Sequence, residues 1–278
     1  MAPVITHLFD LDFTAESLDP KTYAFLYTSF SKIEREDDSV YFGQIAKPKE
    51  DISFEEFTKA LTKIPDEEIY PKVPTDGSIR SFSGPIKHLY LKRPRLFCYE
   101  EYKEDDSAYV IPTLLIEEAS VLETISQNPH PGIIKYHGCR VKRGFITGLV
   151  LDRKQSDLRG YIDSKNGPVI DEETFTTALK AAVEHLHSMG LAHNDINPAN
   201  ILLTEDQMPV LTDFNSCHPI GEKLNLSRGT EGWIDADDSW DTSEIRHDFF
   251  AIEKIREWLK EARGSWPEGD AFSDTGDV

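Results

Sequence analysis

Cysteine is scarce in this 278-residue chain, cations are outnumbered, and long apolar runs are missing. The three cysteines, Cys98, Cys139 and Cys217, are an odd count with no CxxC spacing. That pattern excludes a disulfide framework or a structural zinc and suits a reducing compartment. Lysine and arginine number 30 against 50 acidic residues, a formal charge of -20. Such a surface repels phosphate backbones and anionic lipid, so neither nucleic acid nor membrane is an expected partner. No uncharged apolar run approaches bilayer length. Residues 1–13 have neither the basic start nor the long apolar core of a signal peptide, and the expected location is cytoplasmic. What is present is 39% hydrophobic residues, enough for a sizeable core in one large domain or two modest ones.

Residues 1–74 form an acidic stretch whose patterning predicts helices. Asp19-Pro20 suits an N-cap and first turn, followed by Tyr23, Leu26, Tyr27 and Phe30 at helical spacing. Ser53 and Glu56 make a capping box for a second short helix with Phe54, Phe57 and Leu61 on one face. Prolines 65, 71 and 74 then mark a linker.

From residue 86 the texture changes. Alternating apolar residues predict strands over 86–92 and 95–99, then a helix over 111–126. Residues 133–141 and 145–151 read as a hairpin around Lys142-Arg143-Gly144. Asp171 caps a helix with Phe175, Leu179, Ala182, Leu186 and Met189 on one stripe, stopped by Gly190. Short strands over 201–204 and 210–213 follow. A last helix from Thr242 would bury Ile245, Phe249, Ile252 and Leu259. Strands with one helix, then mostly helices, is an α+β layout with two lobes.

The chemistry is most legible after Gly190. Asp195 follows directly on a helix end, Asn200 lies five residues on, and Asp213 closes the second short strand. Two carboxylates and an amide on tight loops suit a hard, oxygen-ligated cation such as magnesium. One carboxylate can instead accept a proton from an attacking hydroxyl.

The run from Leu186 to Asp195, with Pro198-Ala199-Asn200-Ile201-Leu202, resembles the catalytic loop of eukaryotic protein kinases, whose pattern is HRDLxxxN. Asp213-Phe214-Asn215 resembles their DFG element, and Gly229-Thr230-Glu231-Gly232-Trp233 the end of their activation segment. Asp248 resembles the buried aspartate supporting the loop. Glu118, Leu122 and His130-Pro131-Gly132-Ile133-Ile134 are similar to the αC helix and the strand after it. The resemblance spans roughly residues 86–260 and extends to the shortened, diverged kinase-like proteins of filamentous fungi.

The resemblance implies a bilobal protein kinase-like fold with a reduced N-lobe and a truncated C-lobe. It divides the chain into an extension over 1–74, part of or packed on the kinase-like unit, an N-lobe and hinge over 75–153, and a C-lobe over 154–278. It implies transfer of phosphate from ATP with Mg2+, Asp195 acting as base and Asn200 and Asp213 holding the metal. Lys92 would pair with Glu118 and steady the nucleotide phosphates, because Leu89-Tyr90-Leu91-Lys92 resembles the VAIK strand; Lys103 is the alternative. Asp152 and Arg153 would sit in the hinge that meets adenine. His193, Phe214 and Leu122 would belong to the apolar stack. The implied partners are a nucleotide and a hydroxyl-bearing acceptor, protein by default.

Several positions depart from the family pattern. No GxGxxG loop is present; Thr75-Asp76-Gly77-Ser78 and Ser83-Gly84-Pro85 are poor substitutes. Asn194 replaces the HRD arginine, Asn197 replaces the catalytic-loop lysine, and Asn215 replaces the DFG glycine. Losing one phosphate-facing cation would cost on the order of 2–4 kcal/mol of transition-state stabilisation. These losses keep a second class open, a pseudokinase that binds nucleotide or a partner as a scaffold.

Three other readings stand beside these. Lys92 reads equally as a solvated strand residue beside Arg93 and Arg95. His185, His187 and His193 lack the i, i+4 spacing of imidazole ligands. Phe9-Asp10-Leu11-Asp12-Phe13-Thr14 resembles the nucleophile motif of haloacid dehalogenase phosphatases, but no alternation of strands and helices continues it.

Overall fold

A computed structural model describes residues 3–97, 99–105, 107, 109–165, 169–224, 226, 228–235 and 239–264. Cys98 and the C-terminal residues 265–278 of the expected C-lobe lie outside the described residues. The chain divides into two compact units, one of residues 1–123 and 136–151, the other of residues 124–135 and 152–278.

The first unit opens with an antiparallel sheet in sequence order: β1 (Phe13–Leu18), β2 (Phe25–Ile33), β3 (Val40–Ile45) and β4 (Thr62–Lys63). This corrects the helix expected after Asp19-Pro20. Asp19 Oδ1 accepts from the N–H groups of Lys21 and Thr22 at 3.0 and 2.7 Å, which makes a tight turn of the supposed cap. Tyr23 then takes a left-handed φ of 56°, and the chain returns as β2. Residues 25–33 are rich in aromatic and β-branched or hydroxyl side chains, and strand pairing on both sides outweighs their helical spacing. The described residues of 1–74 thus hold more strand than helix.

One helix in this region does form where its capping box predicts it. In α1 (Phe54–Ala60) Ser53 Oγ accepts from Glu56 N–H, and Glu56 Oε2 accepts from Ser53 N–H. The helix lays Phe57 edge-on against Phe30 of β2, ring centroids 4.7 Å apart, in a core with Ile5, Ile52 and Leu61. Gly43 permits this packing, since a Cβ there would stand 2.6 Å from the Phe30 ring. Within the dehalogenase-like stretch, Asp10 Oδ2 accepts from Thr6 and His7 N–H, and Asp12 Oδ2 from Ile33 N–H. The stretch runs into antiparallel β1, not out of a parallel strand, so that resemblance ends at the sequence.

After the four-residue α2 (Asp66–Ile69), β5 (Leu89–Lys92) forms the outer strand of a second sheet. Only 89–92 of the expected 86–92 is strand, and none of the described residues of the expected 95–99 is strand: Tyr99 already begins α3 (Tyr99–Glu104), with Pro94 interrupting pairing before it. The long helix α4 (Val110–Ser126) matches its apolar spacing. β6 (Tyr136–Lys142) and β7 (Phe145–Asp152) form the expected hairpin, giving strand order β5-β7-β6. The proline-marked linker and the residues after it pair with this hairpin, through bridges from Lys72 to Phe145 and Ser81 to Cys139.

The two sheets of this unit are tied at Asp38, a fully buried carboxylate. Its Oδ1 accepts from Arg93 Nη2 at 2.9 Å. Its Oδ2 accepts from Arg140 Nε at 2.6 Å and Thr147 Oγ1 at 2.8 Å. Tyr70 Oη donates to the Asp38 carbonyl at 3.0 Å. Arg143 adds a two-pronged contact to Asp66 and donates to the Asp37 carbonyl. Residues 34–70 are therefore wired to segments some 55 to 109 positions later.

The second unit is mostly helical. α5 (Leu158–Ser164) is capped by Asp157, and α6 (Glu172–Ser188) by Asp171, whose Oδ1 accepts from Thr174 N–H at 2.9 Å. α6 buries Phe175, Leu179, Ala182, Val183 and Leu186, and stops at Gly190 with φ 78°. β8 (Leu191–Ala192), β9 (Ile201–Leu203), β10 (Pro209–Leu211) and β11 (His218–Pro219) form two small antiparallel pairs, β9 with β10 and β8 with β11. Residues 132–134 lie along β10 through Ile134 N–H to Leu211 O and Leu211 N–H to Gly132 O. α7 (Ile245–Gly264) packs on α6. It buries Ile252 and Leu259 as expected, with Ala251 and Ile255, but leaves Ile245 exposed. No helix of the described residues is long and apolar enough to cross a membrane.

Candidate active site

The β8 strand delivers the chain to His193-Asn194-Asp195, and three polar anchors fix the loop there. Asp248, fully buried on α7, accepts from His193 N–H on Oδ2 and from Asn194 N–H on Oδ1, both at 2.8 Å. His187 of α6 sets that carboxylate from behind, Nε2 to Oδ2 at 2.8 Å. Asn194 itself is buried and left-handed, with φ 60°. Its Nδ2 lies within 3.0 Å of Ala192 O, Ser216 O and Ser243 Oγ. Its Oδ1 accepts from Glu244 N–H at 3.3 Å and lies 3.1 Å from His247 Nδ1. The residue that breaks the family pattern is thus a neutral clasp joining four parts of the second unit. Asn194→Ala is expected to cost about 1–3 kcal/mol for each buried group it strands, read as a lower urea midpoint. An unchanged midpoint would sink this role.

Asp195 stands at the open side of the clasp. Its Oδ1 accepts from Thr230 Oγ1 at 2.6 Å and Asn197 Nδ2 at 3.0 Å. Its Oδ2 accepts from Asn200 Nδ2 at 3.0 Å. Burial pushes the Asp195 carboxyl up from its ordinary value and the negative charge of Asp213 adds to this; Thr230, His193 and Asn197 pull the other way. Such a group suits proton transfer better than an exposed aspartate would. Thr230 thus ties the stretch that resembles the end of the activation segment to the Asp195 loop. It is positioned by Gly229, where φ is 59° and a Cβ would stand 2.5 Å from Ile234 and 3.0 Å from the Asn194 carbonyl.

Asn200 and Asp213 approach through β9 and β10. Asn200 Nδ2 also bonds the Asp195 carbonyl at 2.9 Å, so the amide oxygen is the atom left to face a cation. Asp213 holds a left-handed φ of 61°, with Asn215 Nδ2 donating to its Oδ1 at 2.9 Å. Phe214 packs on His193 with ring centroids 5.0 Å apart. An amide oxygen and a carboxylate fit a magnesium ion that takes its other ligands from water and phosphate. Among the described residues no group of three or more His, Cys, Asp or Glu side chains converges as a metal cage. His185 instead reaches Asn128 O at 2.7 Å, and His193 Nε2 reaches Thr212 O at 3.1 Å.

In the first unit, Lys92 ends β5 and its Nζ meets Glu118 Oε1 of α4 at 2.6 Å, with Glu118 buried at 2% exposure. Lys103 lies elsewhere, 3.4 Å from Tyr99 Oη and 3.9 Å from Glu68. The structure therefore joins Lys92, not Lys103, to Glu118. Asp152 ends β7, its N–H on Lys135 O at 3.0 Å, and Arg153 follows in the exposed connection to α5. Sequence reasoning missed the clasp at Asn194 and the Asp38 tie. Nothing local signals either, since their partners come from segments tens of residues away.

The comparisons with known proteins agree with this geometry. A family model described as protein kinase domain matches residues 92–236. The chain is 34% identical over 119 residues to 3-phosphoinositide-dependent protein kinase 1 of Arabidopsis thaliana, covering 42% of this chain and 23% of the relative. It is 28% identical over 145 residues to serine/threonine-protein kinase SSK22 of Saccharomyces cerevisiae, covering 50% of this chain and 10% of that one. It thus spans less than a quarter of either relative's length. A solved structure of the yeast RNA Pol II CTD kinase CTDK-1 complex aligns with 53% of this chain and 50% of its own at 15% identity and a TM-score of 0.45, and the assignment does not rest on it. The domain match covers more than half of the sequence, from Lys92 past Thr230, and by it the chain belongs to the protein kinase domain family, with an α+β kinase-like fold.

Proposed function

We propose that the chain is an ATP- and magnesium-dependent phosphotransferase acting on a hydroxyl, with serine or threonine of a protein as the acceptor. The observation that carries this reading is the Lys92–Glu118 pair. A lysine held at 2.6 Å by a buried glutamate is kept in position for the α- and β-phosphates of a nucleotide. Asp195, oriented by Thr230, Asn197 and Asn200, accepts the acceptor's proton as its oxygen bonds the γ-phosphorus and the bond from that phosphorus to the β–γ bridging oxygen breaks, releasing ADP. Asn200 Oδ1 and the Asp213 carboxylate would hold magnesium, which when bound draws charge from the phosphate oxygens. Asp152 and Arg153 are proposed to meet the adenine. The serine/threonine acceptor rests on the name of the yeast relative.

A second reading, nucleotide binding without turnover, has one observation in its favour. Asn197 Nδ2 is taken up by Asp195 Oδ1 and by Thr230 Oγ1 at 3.1 Å, so nothing at that position offers a cation to the γ-phosphate. ATP turnover with magnesium and a generic protein acceptor, compared with Lys92→Met, separates the two. Removing a phosphate-facing cation is expected to lower turnover about a hundredfold or more; because the variant leaves buried Glu118 without its lysine, the melting temperature should fall too, and turnover is read at a temperature where the variant stays folded. Equal turnover in Lys92→Met would overturn the proposed role of the pair. Magnesium-dependent nucleotide binding without turnover in the wild type would assign the scaffold reading instead.

A further inference from the structure

The first unit contains a cleft that the phosphotransfer reading does not use. It has a volume of about 360 Å³ and is walled by Asp12, Phe13, Ser31 and Ile33 from the N-terminal sheet and by Tyr90, Leu91 and residues 93–97 from the other side. Neither Lys92 nor Glu118 is part of this wall. Its size falls in the range of pockets that hold one small molecule, roughly 300–1,000 Å³.

The wall divides by chemistry. Arg93 and Arg95 bring two guanidinium groups, against one carboxylate, Asp12, whose Oδ2 is already engaged by Ile33 N–H at 2.7 Å. Arg93 is braced from behind by Asp38, so its planar fork is held in place rather than sampling solvent. Two lining residues have a buried polar atom without a hydrogen-bond partner, Ser31 Oγ and Arg93 Nε. Ser31 is 1% exposed, and a buried hydroxyl that meets no protein acceptor has a free-energy cost that an arriving acceptor would recover. The rest of the wall is apolar: Phe13, Ile33, Leu91, Pro94 and Leu96. Tyr90 and Phe97 stand at its rim with 48% and 60% of their surface exposed, although both are large and apolar. In a chain of net charge -20, a concave wall with two arginines and one aspartate is less negative than the chain as a whole, even with Asp38 paired to Arg93.

We propose that this cleft is a binding site for a small molecule joining a carboxylate or phosphate to an aromatic or branched apolar body. The anionic end meets the Arg93 and Arg95 guanidinium groups and draws the Ser31 hydroxyl, while the apolar body lies between Phe13, Ile33 and the rim aromatics. The cleft is compact, which fits a single small molecule rather than an extended peptide.

The test is a titration of the full chain with phenyl phosphate and phenylacetate, with benzyl alcohol as the uncharged control, followed by backbone amide shifts and without ATP. Both anions are expected to saturate below about 10 mM, to shift residues 12–13, 31–33 and 90–97, and to bind at least tenfold more tightly than the alcohol. Arg95→Glu and Phe97→Ala alter exposed side chains, so both variants should fold, and each should weaken the anions about tenfold. No saturation by either anion, equal affinity for the alcohol, or shifts mapping elsewhere would each overturn the proposal. None of these readouts depends on phosphotransfer, so failure here leaves the kinase reading untouched, and the reverse holds.

Discussion

Asp195→Asn, which removes the base we propose, is expected to lower phosphotransfer by about 10²–10⁴-fold, the usual range for a positioned general base, and to change how stability depends on pH. Burial, with the Asp213 charge, keeps the Asp195 proton on to higher pH in the folded chain than in the unfolded one. The folded state then binds more protons across that window, so stability falls as pH rises from the ordinary carboxylate value to the raised one. Asparagine has no proton to lose. The melting temperature of the variant minus that of the wild type should therefore climb with pH from about 4 upward and level off above the raised value. Calorimetry of the two proteins across this range checks the sign. A constant difference, or one that shrinks with pH, would show that Asp195 carries no strained charge, whatever happens to turnover.

Asp38→Ala should be the most damaging single substitution in the first unit. It removes the common acceptor of Arg93, Arg140 and Thr147, leaving two partly buried guanidinium groups uncompensated. Breaking a buried ion pair from one side costs about 3–5 kcal/mol. Alanine is also poorly suited to the left-handed backbone at this position, where φ is 59°. Asp38→Asn keeps the shape and tolerates that φ, so it should lose less. Urea denaturation of the three proteins gives the order directly. Equal midpoints for Asp38→Ala and wild type would mean that residues 1–74 fold beside the later strands without depending on this tie. The result expected instead makes them an integral part of the first unit, which is our proposal for the acidic extension.

The parts of the fold legible in the sequence were those whose instructions are local. Ser53 with Glu56, Asp171 with Thr174, and Gly190 each act within a turn of the helix they start or stop, and each does so in the structure. The spacing of Asp195, Asn200 and Asp213 was legible for the same reason, being confined to one loop and one small hairpin. Residues 23–30 misled because helical spacing and strand composition coexist there, and only the flanking strands β1 and β3 decide between them. Lys92 was preferred to Lys103 on the resemblance of its strand alone, since the distance to Glu118 depends on where β5 ends relative to α4. Asp38 and Asn194 were silent for a stronger reason. An aspartate in an acidic stretch and an asparagine in place of an arginine carry no mark of partners that folding brings from far along the chain.

The Asn194 clasp also bears on the solution conditions under which this protein keeps its shape. Ion pairs between exposed groups weaken as the Debye length shrinks, from about 10 Å at 0.1 M salt to about 3 Å at 1 M. An uncharged amide sharing hydrogen bonds with carbonyls, a hydroxyl and a backbone N–H offers dissolved ions nothing to screen. The geometry around Asp195 should accordingly be as well kept in brine as in dilute buffer, and ionic strength should act on ligand affinity while leaving the loop unmoved.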